Sequence, residues 1–181
     1  METNRIIDEI RAVATLNWGP EQKAFYKQRA ADIRPVECVR MCDVFNPDQL
    51  DFFRDVYHTQ QKQCYKNAST LVTLISHPFG RFLFPEPVKY VEGFSCLFGV
   101  LPFEHAFVKI GDKYIDPTFE RELHLDVRKE MYASLIELDP ETMTKYLLET
   151  GYYGNLYQYD YLCKHRPETV AKMRARNSIN R

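Results

Sequence analysis

The chain has 181 residues, 45% of them hydrophobic and 27% charged, with a net charge of −1. That is long enough to bury a core within one domain, and it excludes low-complexity, disordered and fibrous classes. No apolar run approaches the ~20 residues of a membrane span, and near-neutral charge gives no footprint for nucleic acid.

In chain order, Thr3 is placed to cap a first helix whose apolar stripe is Ile6, Ile10 and Val13. The segment NWGP interrupts, and Pro20 opens a second helix through about Ala31. DIRPVECVRMCDVF is ambiguous between strand and irregular structure. In NPDQLDFFRDVYHTQ, Asn46 caps a helix, Pro47 starts it, and Leu50, Phe53 and Tyr57 share one face. In QCYKNASTLVTLIS, residues Cys64, Ala68, Leu71, Val72 and Ile75 fall on one helical face, and His77-Pro78 ends the run. Either the chain breaks at HTQQKQ, so that Cys64 starts a helix, or a single helix runs from 47 to 76.

From Val88 the character changes. VKYVEGF, HAFVKI and KYID are short, β-branched and aromatic, with turn residues between them. After Pro117 come a mixed segment, a helix near 140–150 begun by Asp139-Pro140, and a last helix from Pro167. Between those helices, the alternation of Tyr157, Tyr159 and Tyr161 in GYYGNLYQYDYL reads as a strand with one packed face, the alternative being that these tyrosines line a substrate groove. There is no internal repeat or linker, so residues 1–181 are expected to form a single domain. Helices, then an antiparallel sheet, then helices again predict an α+β class with segregated elements.

Gly111-Asp112 between two apolar runs signals a two-residue hairpin. With those two residues as the loop, Ile110 faces Lys113, Phe107 faces Asp116 and His105 faces Thr118. Alternation then puts His105 and Asp116 on one face as diagonal neighbours, about 7 Å apart at Cβ. A carboxylate at that place fixes the imidazole tautomer and leaves the other ring nitrogen for a nucleophile. The competing reading is a polar hairpin end open to solvent.

The five cysteines, at 38, 42, 64, 96 and 163, are odd in number and scattered. That suits a reducing compartment, so the expected location is cytoplasmic. The N-terminus, charged from its second residue, shows no signal peptide. Cys38-x3-Cys42 lacks a partner pair, so neither metal nor cofactor is expected. Cys96 and Cys163 read as small core residues, and His124 and His165 as surface residues. The sequon at Asn67 carries no meaning in a helix of a cytosolic protein, although Asn67 could contact substrate or cap locally. The basic end, KHRPETVAKMRARNSINR, reads as a solvated terminal helix. A thiol at a helix start sits in the positive end of the helix dipole, so Cys64 is a candidate nucleophile if the helix begins there and a buried, inert cysteine if one helix runs through it.

In sequence order, Cys64 with Ala68, YVEGF at 90–94, HAF at 105–107 and IDPTF at 115–119 resemble the transglutaminase-like branch of the papain-like cysteine enzymes. The resemblance covers about residues 58–120. It implies a papain-like core in which the helix carrying the cysteine packs on a small antiparallel sheet, with extra helices at both ends. It also implies Cys64 as nucleophile, His105 as general base and acid, and Asp116 as the orienting residue. Lys62 stands where the family has glycine, Phe107 where it often has tryptophan, and His58 where papain-like enzymes have an oxyanion-donating glutamine. Gln60, Gln61, Gln63 or the Cys64 backbone N–H are the substitutes on offer.

The expected activity is acyl transfer through a thioester, with hydrolysis of a peptide, isopeptide or other amide ahead of transamidation because water needs no dedicated site. The expected partner is a protein or peptide substrate, with no membrane and no nucleic acid. A catalytically silent binding module of the same fold and a purely structural protein are the rivals from other classes.

Overall fold

The computed structural model describes residues 5–179. Thr3, expected as a cap, and the last two residues of the basic end lie outside them. The N-terminal third forms α1 (Arg5–Ala14), α2 (Pro20–Asp32), β1 (Arg34–Val36), β2 (Cys38–Val39) and α3 (Pro47–Val56). Next come α4 (Cys64–Ser76), α5 (Pro78–Leu83), β3 (Val88–Cys96), β4 (Pro102–Ile110) and β5 (Lys113–Ile115). The chain continues through α6 (Pro117–Glu122), β6 (Met131–Leu138), α7 (Pro140–Thr150), α8 (Leu156–His165) and α9 (Pro167–Ile179).

Local chemistry explains most boundaries. Asn46 accepts from the Gln49 amide while the Gln49 side chain accepts from the Asn46 amide, a reciprocal cap that starts α3 at Pro47. Asp139 caps α7 in the same sense through the Thr142 amide. His77 closes α4, and Pro78 opens α5 directly behind it. The chain between α3 and α4 is not helical, so the continuous-helix alternative is discarded and Cys64 occupies the first position of α4.

The six strands form one sheet in the order β1-β6-β3-β4-β5-β2, and its pairs are antiparallel except β2 with β5. The architecture is thus mixed α/β, with a wider sheet than the sequence suggests. Two of its strands, β1 and β2, come from the ambiguous N-terminal segment, and β6 comes from the segment read as mixed. Period-2 patterning is weak in all three, because β1 and β2 are very short and β6 buries consecutive residues. One sheet face, through Tyr90, Ala106, Val108 and Ile110, packs with Ala68, Leu71, Val72 and Ile75 of α4. Val91, Phe107 and Tyr132 belong to a second cluster with Phe119 and Val127.

Two expectations are corrected. GYYGNLYQYDYL is not a strand: left-handed Gly154 and Asn155 turn the chain into α8. In that helix Tyr157 and Tyr161, four apart, both meet the ring of Phe25, at 5.8 and 5.0 Å, whereas Tyr159 bonds Glu149. A spacing of two, four residues in all, satisfies a helical face as readily as a strand. Cys163 is only half-buried, unlike Cys96, because it lies on the partly open side of α8.

Candidate active site

The hairpin register is the expected one: Ile110 faces Lys113, Lys109 faces Tyr114 and Val108 faces Ile115. Pairing stops there, however, so His105 and Thr118 are not ladder partners. Pro117 has no N–H to give a ladder, and the Asp116 carboxylate instead caps α6, its Oδ1 accepting from the Thr118 and Phe119 amides at 3.0 and 3.1 Å. Capping wins over strand extension. The consequence is an open edge on β4 from residue 107 backwards, where helix starts rather than a strand flank His105.

At this edge His105 and Asp116 meet. His105 Nε2 lies 2.7 Å from Asp116 Oδ2, and both residues are almost wholly buried. Tyr132 donates its hydroxyl to the same Oδ2 at 3.0 Å. The carboxylate thus accepts four hydrogen bonds, two on each oxygen, and its rotamer is fixed. The imidazole is held between rings as well: Phe119 stacks on it with centroids 4.3 Å apart, and Phe103 meets it edge-on at 5.8 Å.

Burial by itself pulls the imidazole pKa down. Asp116, by charge and hydrogen bond, and then Cys64, by hydrogen bond and charge, outweigh that and raise it to about 10. Cys64 is therefore the ring's second polar neighbour, and with Nε2 engaged by Asp116 it is Nδ1 that remains for the sulfur. Cys64 is a free, half-buried thiol. The three residues singled out by sequence, Cys64, His105 and Asp116, come together from α4, β4 and the start of α6.

Asn67, one turn into α4, is neither exposed nor a local cap. It is buried, and its side chain accepts from the Gln60 amide at 3.1 Å while donating to Gln60 O at 2.8 Å and Thr118 Oγ1 at 3.0 Å. Tyr57 donates to the Asn67 carbonyl at 2.8 Å. This network fastens the loop before Cys64 to the helix that Asp116 caps. The network itself has no pattern in the sequence: Tyr57 entered only through a helical face, Thr118 through the IDPTF run, Gln60 as a possible oxyanion donor and Asn67 through its spacing of three from Cys64, while Tyr132 entered not at all.

Gln60, Gln61 and Gln63 are exposed in that loop, and Gln60 is held through its backbone rather than its amide side chain. No side chain caps the start of α4, which leaves the first-turn amides beginning at Cys64 without a side-chain acceptor. Lys62, two before the cysteine, has φ 60°, the left-handed region that favours glycine.

Gly93, opposite His105 on β3, is a close-approach glycine: a Cβ there would lie 1.9 Å from the Ala133 carbonyl oxygen. Next to it, Glu92 is buried and accepts from the Leu156 and Tyr157 amides at 3.0 and 2.9 Å and from Tyr90 Oη at 2.9 Å. Burial raises its pKa and these hydrogen bonds oppose the rise. No group of three or more metal-ligating side chains occurs among the described residues. No helix among them is long and apolar enough to cross a membrane. His124 and His165 are exposed, as expected.

Such an arrangement can pass a proton from thiol to imidazole while the carboxylate holds the ring and balances its charge. Comparisons with protein families, with curated proteins and with solved structures each find no match.

Proposed function

We propose that the protein is a cysteine-dependent acyl-transfer enzyme of the transglutaminase-like, papain-like kind, acting in the cytoplasm on an amide bond of a peptide or protein. The observation that supports this reading is the buried His105–Asp116 pair at 2.7 Å with Cys64 as the ring's other polar neighbour. A solvated polar hairpin end would leave both groups exposed and the carboxylate without its three further donors.

In this reading the Cys64 proton already rests on His105 Nδ1 before attack, and the sulfur adds to the carbonyl carbon as a thiolate beside the imidazolium. The tetrahedral oxyanion is met by the first amides of α4, foremost the Cys64 N–H, since these lack a side-chain acceptor and lie at the positive end of the helix. His105 then gives the proton to the departing amine, leaving a thioester on Cys64. Water, deprotonated by the same imidazole, breaks the thioester and releases the acid. Gln60 and Gln61 remain secondary donors.

Site-resolved alkylation tests this. Cys64 is expected to react with iodoacetamide at least tenfold faster than exposed Cys42 at neutral pH, and His105→Gln is expected to remove that difference. An electrophilic acyl probe should label Cys64 and fail on Cys64→Ser. Equal rates at Cys64 and Cys42 would overturn the proposal.

A further inference from the structure

Where α2, α8 and the first turn of α4 meet the sheet lies a cavity of about 660 Å³. Tyr65, the residue after Cys64, lines it, as do Gly93, the strand partner of His105, and Glu104, its chain neighbour. The volume is within the range of small-ligand sites.

The walls decide what fits. Phe25, Tyr26, Tyr65, Tyr157 and Tyr161 present five aromatic rings. Such rings would also suit a cation, but the acids present are already committed. Glu104 is paired with Arg29, Glu21 with Arg166, and the Glu92 carboxylate is taken up by Tyr90 and the α8 amides. No carboxylate is left to balance an added positive charge. The Arg29–Glu104 pair offers N–H donors beside a carboxylate, complementary to the C=O and N–H of an amide. Arg29 is itself fixed, its guanidinium 4.6 Å above the Phe94 ring.

We infer that this cavity is the specificity pocket for the bond cleaved at Cys64, and that it takes a neutral aromatic side chain of a peptide. The inference rests on the proposed nucleophilic role of Cys64 and adds the substrate class.

The test uses dipeptidyl acyloxymethyl ketones bearing phenylalanine, glycine or lysine at the first or second position from the warhead. Phenylalanine at one of these positions should label Cys64 roughly tenfold or more faster than glycine or lysine. Gln158→Trp and Ala24→Trp, each introducing a bulky ring at an exposed lining position, should abolish the preference while iodoacetamide still reacts fast at Cys64. Equal labelling by all three probes, or a preference for lysine, with Cys64 still fast to iodoacetamide, would overturn the pocket and leave the nucleophile standing. Independently of the sulfur, N-acetylphenylalanine amide should shift the Tyr157 and Tyr161 resonances of Cys64→Ala, and no shift at all counts against the pocket alone.

Discussion

Asp116 concentrates more of the site's energetics than any other side chain. Its four donors are His105, Tyr132 and two α6 amides, so Asp116→Asn keeps one acceptor oxygen and turns an N–H donor toward Tyr132 and His105. Loss of about 3 kcal/mol in urea unfolding is expected, together with loss of the Cys64 rate advantage. A variant as stable as the parent would mean that the pair is not charged. The raised His105 pKa has a definite sign. Its folded value, about 10, exceeds the ordinary 6.5, so the stability it contributes is complete below 6.5 and is lost as pH rises through about 10. Ring nitrogen NMR should show a protonated imidazole through neutral pH, and substrate turnover should fall on an alkaline limb as the acid that protonates the leaving amine disappears. A ring that titrates near 6.5 refutes both. At Lys62 the left-handed φ of 60° costs a side-chain-bearing residue about 1 kcal/mol. Lys62→Gly should therefore raise the unfolding midpoint slightly, the greater freedom of unfolded glycine trimming the gain. A drop would show that the lysine side chain contributes more than its backbone costs.

Among the elements, α8 depends on a cap that is remote in sequence. Its N-cap residue, Asn155, makes no side-chain cap hydrogen bond, and Glu92 of β3 supplies acceptors for the Leu156 and Tyr157 amides instead. Glu92→Gln should speed hydrogen exchange at the Leu156 and Tyr157 amides with little change in α7, since an amide side chain cannot present two acceptor oxygens. Unchanged exchange would mean that packing of the α8 tyrosines suffices to hold the helix. On the same strand Gly93→Ala should cost about 2 kcal/mol or more, because its Cβ would meet Ala133 backbone, which cannot rotate away. The hairpin shows where element-level reading succeeds and stops. The turn at Gly111-Asp112 fixed the register over its three observed pairs, but the competition between a fourth pair and an Asp cap is decided by Pro117 and by the burial that α6 gains through Phe119.

Over the whole molecule, the starts of α2, α3, α7 and α9 and the hairpin register were legible because each is a local matter, a cap, a proline or a period of 2. Cys64, His105 and Asp116, by contrast, were singled out by combining such local signals with a family resemblance. β1, β2 and β6 were not legible, since two are too short to show a period and the third is buried on both sides. The α8 tyrosines misled because their spacing fits either geometry. Sequence alone determined which thiol, imidazole and carboxylate were the candidates for a site, and which local elements bear most of them. Only the tertiary structure decided that Tyr132, Asn67 and Thr118 lock them together, that Glu92 seats α8, and that an aromatic cavity opens beside Tyr65. Those contacts join residues up to 65 positions apart, and long-range pairing is set by how buried faces and unsatisfied polar groups find partners once the sheet has formed, which no local pattern encodes.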